Sequence, residues 1–176
     1  DLRGRGETRG IEPEARELVI EGGSIDASTR GAGSAGTITI HANSLDLSEG
    51  GTLLASTVGA GDAGTIVVNA DSLDLHDRGY IQAAGRAGRV EIHAGTVSLR
   101  RGTAPDPNAT DEEKETARLT PGATINVSGS TAGTILVEAA DSILLTDQYG
   151  GCCSIDDILK GGSPSGIYAA TLFSSD

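Results

Sequence analysis

Four stretches of this chain are variants of one phrase. Gly36 to Leu47 reads GTITIHANSLDL, Gly64 to Leu75 GTIVVNADSLDL, Gly88 to Leu99 GRVEIHAGTVSL and Gly133 to Leu145 GTILVEAADSILL. A phrase repeated at a fixed period means one supersecondary unit stacked on copies of itself, each burying its apolar face against its neighbours. The unit is longest from Gly22 to Glu49 and from Gly50 to Asp77, where the offset is 28 positions without a gap. In the third copy, Ala83-Ala84-Gly85-Arg86-Ala87 replaces the longer AST-x-GxGxA stretch, so Gly88 follows Gly64 by only 24. A fourth copy opens at Ile125 and Val127 and carries one extra residue near Ala140. Leu18-Val19-Ile20 reads as the tail of an earlier copy, and Ser165 to Thr171 as the start of a later one. With both ends inside a unit, the chain is expected to be one β-helical domain over 1–176 cut from a longer shaft.

Each unit holds three short runs of period two: Ile25/Ala27, Ile38/Ile40/Ala42 and Leu45/Leu47. Alternation puts those residues inward and leaves Thr37, Thr39, His41, Ser44 and Asp46 outward. Gly, Asn and Ser separate the runs, which are too short for helices. Strands of this kind, each paired in parallel with its equivalent one turn on, make an all-β solenoid that grows by roughly 4.8 Å per turn, a rod about 25 Å long for about five coils. The composition suits a narrow core of Ile, Leu, Val and Ala: Met and Trp are absent and Phe occurs once. Gly makes up 26 of 176 residues, about twice the usual share of roughly 7%, at recurring corners. The net charge of −12 argues against a phosphate-binding face, which needs clustered Lys and Arg, so no nucleic-acid partner is expected. No apolar run approaches the roughly 20 residues of a membrane span.

The phrases ASTRGAGSAGTITIHANSLDL and ASTVGAGDAGTIVVNADSLDL, with the closing SPSGIYAATLFSS, resemble the passenger repeats of filamentous-haemagglutinin-like two-partner secretion exoproteins, most closely those of cyanobacteria. The resemblance implies a right-handed parallel β-helix, exported through a dedicated outer-membrane pore to the bacterial surface or the medium. It implies a structural or adhesive part rather than an enzyme, with a cell-surface glycan or protein, or another copy of the chain end to end, as partner. It names no ligand. The competing class is a β-helical polysaccharide-active enzyme or carbohydrate-binding module, marked by two or three acids and an Arg converging in a groove.

Several motifs carry a plainer meaning than their spelling. Gly31 to Gly36 and Gly59 to Gly64 both spell GxGxxG, but a β-patterned run follows each rather than a helix able to hold a pyrophosphate. No GxSxG elbow occurs, and His41, His76 and His93 are taken to lie in different phases of the repeat, which disfavours a hydrolytic triad. Only Thr37/Thr39 forms a TxT rank, too few for an ice-binding face. Asp46 and Asp74 share a repeat position and are expected one turn apart, as candidate oxygen ligands of a Ca²⁺ ladder; no other cofactor is expected. Glu49, Asp77 and Asp147 form a second candidate column. Arg78, Arg86, Arg89, Arg100 and Arg101 are the basic residues available to a lyase-like site.

Two insertions interrupt the repeat. In 103–120, Thr110 is expected to cap a short helix with Glu113 three places on. The other, 148–164, carries the adjacent Cys152 and Cys153, which are candidates for a vicinal disulfide and lack the CxxC spacing of a zinc or thioredoxin site. Without a third cysteine, no long loop of this chain is stapled, which suits the threading of an unfolded chain through a pore that the resemblance implies. Asn108-Ala109-Thr110 and Asn126-Val127-Ser128 match the glycosylation sequon by chance in a bacterial setting.

Overall fold

The computed structural model describes residues 2–3, 11–100, 108, 110–113, 122–129, 131, 133–146 and 166–168. In chain order the strands are β1 (Leu2–Arg3), β2 (Glu14–Glu21), β3 (Ser24–Asp26), β4 (Thr37–Ser48), β5 (Thr52–Leu54), β6 (Thr65–Leu75), β7 (Tyr80–Gln82), β8 (Arg89–Arg100), β9 (Thr124–Asn126), β10 (Thr134–Thr146) and β11 (Gly166–Tyr168). The short strands form one sheet in the order β1-β3-β5-β7-β9-β11, and the long ones a second in the order β10-β8-β6-β4-β2. Every pairing is parallel, and like residues meet like: Ile38 pairs with Ile66, Leu45 with Leu73 and Asp46 with Asp74. The chain is a parallel β-solenoid.

One expectation needs correcting. The second and third apolar runs do not form separate strands but share one long strand in each coil. Inward positions are even through Ile38 and Ile40, then odd from Leu45 and Leu47, all at 1% exposure or less. The parity flips where the register passes over Asn43, Asp71 and Gly95. Because every coil flips at the same place, the ladders on either side stay in step, and separate strands are not needed. β10 flips with an irregularity between Ala139 and Ser142, where the extra residue near Ala140 is absorbed.

The core is a column of stacked aliphatics. Ile25, Leu53, Ile81 and Ile125 line one wall, each 4% exposed or less. Ile38, Ile66 and Val90 face them from the second sheet, as do Leu47, Leu75 and Leu99, all fully buried. Burying one such side chain is worth about 1.5–3 kcal/mol.

The AST phrase after β3 and β5 specifies the turn. The Ser28 hydroxyl accepts from the Ser56 amide at 3.0 Å, and the Ser56 hydroxyl from the Ala84 amide at 3.1 Å, so serine links coil to coil. Thr29 and Thr57 each accept from the amide two residues on at 3.3 Å, closing the same local turn. Asp26 and Asn126 do likewise for the amides of Ser28 and Ser128 at 2.8 and 2.7 Å. The glycines that follow are set by close approach: a Cβ at Gly59 or Gly61 would run into the carbonyl of Gly31 or Gly33 one coil below. The GxGxxG spellings are therefore loops leading into β4 and β6, as expected. At the other corner Gly22, Gly50 and Arg78, equivalent in the 28-residue repeat, all take positive φ of 60°, 81° and 69°.

Within the first insertion, the Thr110 hydroxyl accepts from the Glu113 amide at 3.3 Å, and the Glu113 carboxylate accepts from the Thr110 amide at 2.7 Å, a capping box at the helical residues 111–113. The bond from the Thr110 backbone amide, then that from its hydroxyl, holds the Glu113 carboxyl below its ordinary pKa. Most of the remaining insertion lies outside the described residues, as do all of 148–164 with Cys152 and Cys153, Asp147 and Arg101.

Candidate functional site

Strand alternation turns alternate side chains of the long sheet outward, and the shared register stacks them into files. Two files carry chemistry.

The first contains the Asp46 and Asp74 that were expected to pair, and they do, on β4 and β6. Two further residues join them. His76 follows β6 and lies between two carboxylates, with Nε2 at 3.3 Å from Asp46 and Nδ1 at 2.8 Å from Asp77. Arg100, at the end of β8, donates from Nε and Nη2 to the two oxygens of Asp74 at 3.1 and 2.5 Å. The bond to Asp74 raises the Arg100 pKa above its ordinary value, with smaller help from the charges of Asp74, Asp46 and Asp77, so the guanidinium stays charged throughout the range in which proteins fold. One ligand atom each from Asp46, Asp74 and His76 lies within 4.8 Å of the others. The fit to Ca²⁺ is partial. Ca²⁺ takes six to eight oxygens, whereas this set includes an imidazole and a carboxylate already held by a guanidinium. Asp46 Oδ1 is buried and takes no hydrogen bond, the one such side-chain atom among the described residues.

The second file was not foreseen. His41 and His93 do not lie in different phases: the register runs Glu14, His41, Asn69, His93, Glu138 across five strands. The correction follows from spacing: each histidine stands five places after its leading glycine, Gly36 or Gly88. His93 Nδ1 lies 2.9 Å from a Glu138 oxygen. Beside this file, at the parity flip, is a shallow groove of about 660 Å³ crossing β2, β4, β6 and β8. Its sides carry Glu14, His41, Asn69 and His93 on one hand and Arg16, Asn43 and Asp71 on the other, with Ala15, Ala42 and Ala70 between.

The arginines considered for a lyase-like site are dispersed. Arg86 pairs with Asp62 at 2.9 Å and Arg89 with Glu91, while Arg78 occupies the corner turn with φ of 69°. Arg78, Arg86 and Arg89 do not line the groove. The Asn126 amide group donates to the Tyr80 hydroxyl at 3.1 Å, inside a contact between coils. No helix among the described residues is long and apolar enough to cross a membrane.

Comparison of the chain with protein-family models, curated proteins and solved structures finds no match.

Proposed function

We propose that the chain is a stretch of an extracellular β-helical shaft from a bacterial exoprotein of the filamentous-haemagglutinin-like type. It works by presenting one face many times over. The observation carrying this reading is the identical register of successive coils, which repeats outward side chains such as Thr37 and Thr65, Ser44 and Ser72, and Asp46 and Asp74 at strand spacing. A surface of this kind suits contact with a glycan, a cell-surface protein or another copy of the chain, each site weak and the sum strong. Linking sites multiplies apparent affinity by about 10²–10⁴ when geometry permits simultaneous engagement.

A second reading is favoured by one specific observation: Asp46, Asp74, His76 and Arg100 converge as the acids and base of a polysaccharide-active enzyme would. Against it, both His76 nitrogens and two Arg100 nitrogens are bonded within the cluster, and none of these four residues lines the groove. Ca²⁺ at Asp46 and Asp74 remains part of the proposal and requires Arg100 to give up Asp74.

The test compares the monomeric segment with a streptavidin-linked tetramer on a glycan array and on intact cells, with and without Ca²⁺. The shaft reading expects the tetramer to be retained at least about a hundredfold more strongly. Equal retention of monomer and tetramer contradicts it, and new reducing ends released from a soluble polysaccharide establish the enzyme instead.

A further inference from the structure

We infer that the groove across β2, β4, β6 and β8 binds a neutral polysaccharide chain lying along the solenoid axis, one sugar unit to a coil. The inference rests on the shaft reading and gives it a binding site.

Periodicity is the first argument. The groove is built from equivalent residues of successive coils, so its polar groups recur at about 4.8 Å, and four strands span about 14 Å. That pitch is close to the rise per unit of an extended β-linked pyranose chain. An extended peptide does not fit as well, because strand addition needs a free sheet edge, and this groove crosses the face of four strands that are already paired.

The lining chemistry narrows the ligand further. Asn43 and Asn69 each offer a donor pair and an acceptor, His41 a donor and an acceptor, His93 its Nε2, since Nδ1 is held by Glu138, and Asp71 two acceptor oxygens. Hydroxyl groups, which donate and accept at the same atom, satisfy such a mixed set. Between the two polar rims, Ala42 and Ala70 are half-buried and packed against the core, so no bulky side chain fills the groove floor there. A polyanion is disfavoured, since Arg16 is the one Arg or Lys in the lining and the chain carries −12.

The probes are cellobiose, cellotetraose and cellohexaose, with chitohexaose as a second neutral chain and hexagalacturonate and hexalysine as charged comparators. Binding is followed by calorimetry and by the ring-proton resonances of the three histidines. At least one neutral series is expected to bind, gaining affinity from disaccharide to tetrasaccharide and then levelling off. His41 and His93 should shift while His76 stays still. Asn69→Ala and Asp71→Asn should each weaken tetrasaccharide binding by about fivefold or more, the loss of one hydrogen bond, with unchanged melting temperature. Thr39→Ala, outside the groove, should leave binding unaltered.

No binding by either neutral series overturns the inference, as does stronger binding of hexagalacturonate or hexalysine, or tetrasaccharide affinity untouched by both groove variants. A segment that adheres to cells yet ignores these oligosaccharides sinks the groove and spares the shaft. Groove binding with no gain on tetramerisation does the reverse.

Discussion

Glycine separates backbone geometry from composition at the scale of single residues. At Gly59 an added Cβ would meet the Gly31 carbonyl one coil below, whereas at Gly33 it would meet nothing within 4 Å. Both belong to the same Gly-rich phrase, so composition alone treats them alike. Gly59→Ala is expected to destabilise by about 1–3 kcal/mol, as overpacking does, and Gly33→Ala to stay within about 0.5 kcal/mol, as an unobstructed surface change does. Thermal melts of the two variants decide it, and equal effects would mean that the loops do not stack as closely as described. The acidic column follows the same logic of neighbours. Asp46 and Asp74 were legible from their shared repeat position, while Arg100, which neutralises Asp74, stands one place past the end of its own repeat phrase. A reading that compares only equivalent positions misses a partner reaching in from the adjacent coil.

The long strand of each coil shows at the scale of elements how far alternation can be trusted. The pattern correctly marked which residues face inward: Ile66 is fully buried and Val67 is not. It misjudged the number of strands, because a parity flip looks like a break in one copy and continues as a ladder only once the copies are stacked. The serine bonds of the AST turns were equally hidden, since Ser28 acts on a residue 28 places away. The histidine file was hidden for a different reason: Asn69 stands between His41 and His93 in the register, so neighbouring copies never show the match. Ile66→Ala is expected to cost about 2–5 kcal/mol through lost burial and an unfilled space, and Val67→Ala less than about 1 kcal/mol. Denaturant unfolding of the pair measures the difference, and similar losses would mean that the inward assignment of β6 is wrong.

For the molecule as a whole, function depends on repetition, because a groove or a ladder exists only if successive coils keep the same register. The 24-residue third unit tests that requirement naturally. Its shortened turn takes φ of 138° at Gly85 and 54° at Ala87, and Val90 still falls opposite Ile66. In this unit the variation is confined to the turn, and the face across β4, β6 and β8 stays continuous. Oxidative cross-linking tests this stacking most directly, in a background with Cys152→Ser and Cys153→Ser. Cysteines introduced at Thr37 and Thr65, which are paired neighbours in adjacent strands, lie near the roughly 4.4–6.8 Å Cα separation that a disulfide spans. Cysteines at Thr37 and Asp74 occupy opposite ends of the same two strands. Parallel coils in register predict rapid disulfide formation in the first pair and none in the second. Bonding between Thr37→Cys and Asp74→Cys, with none between Thr37→Cys and Thr65→Cys, would show that the strands run in opposite directions and would contradict the solenoid.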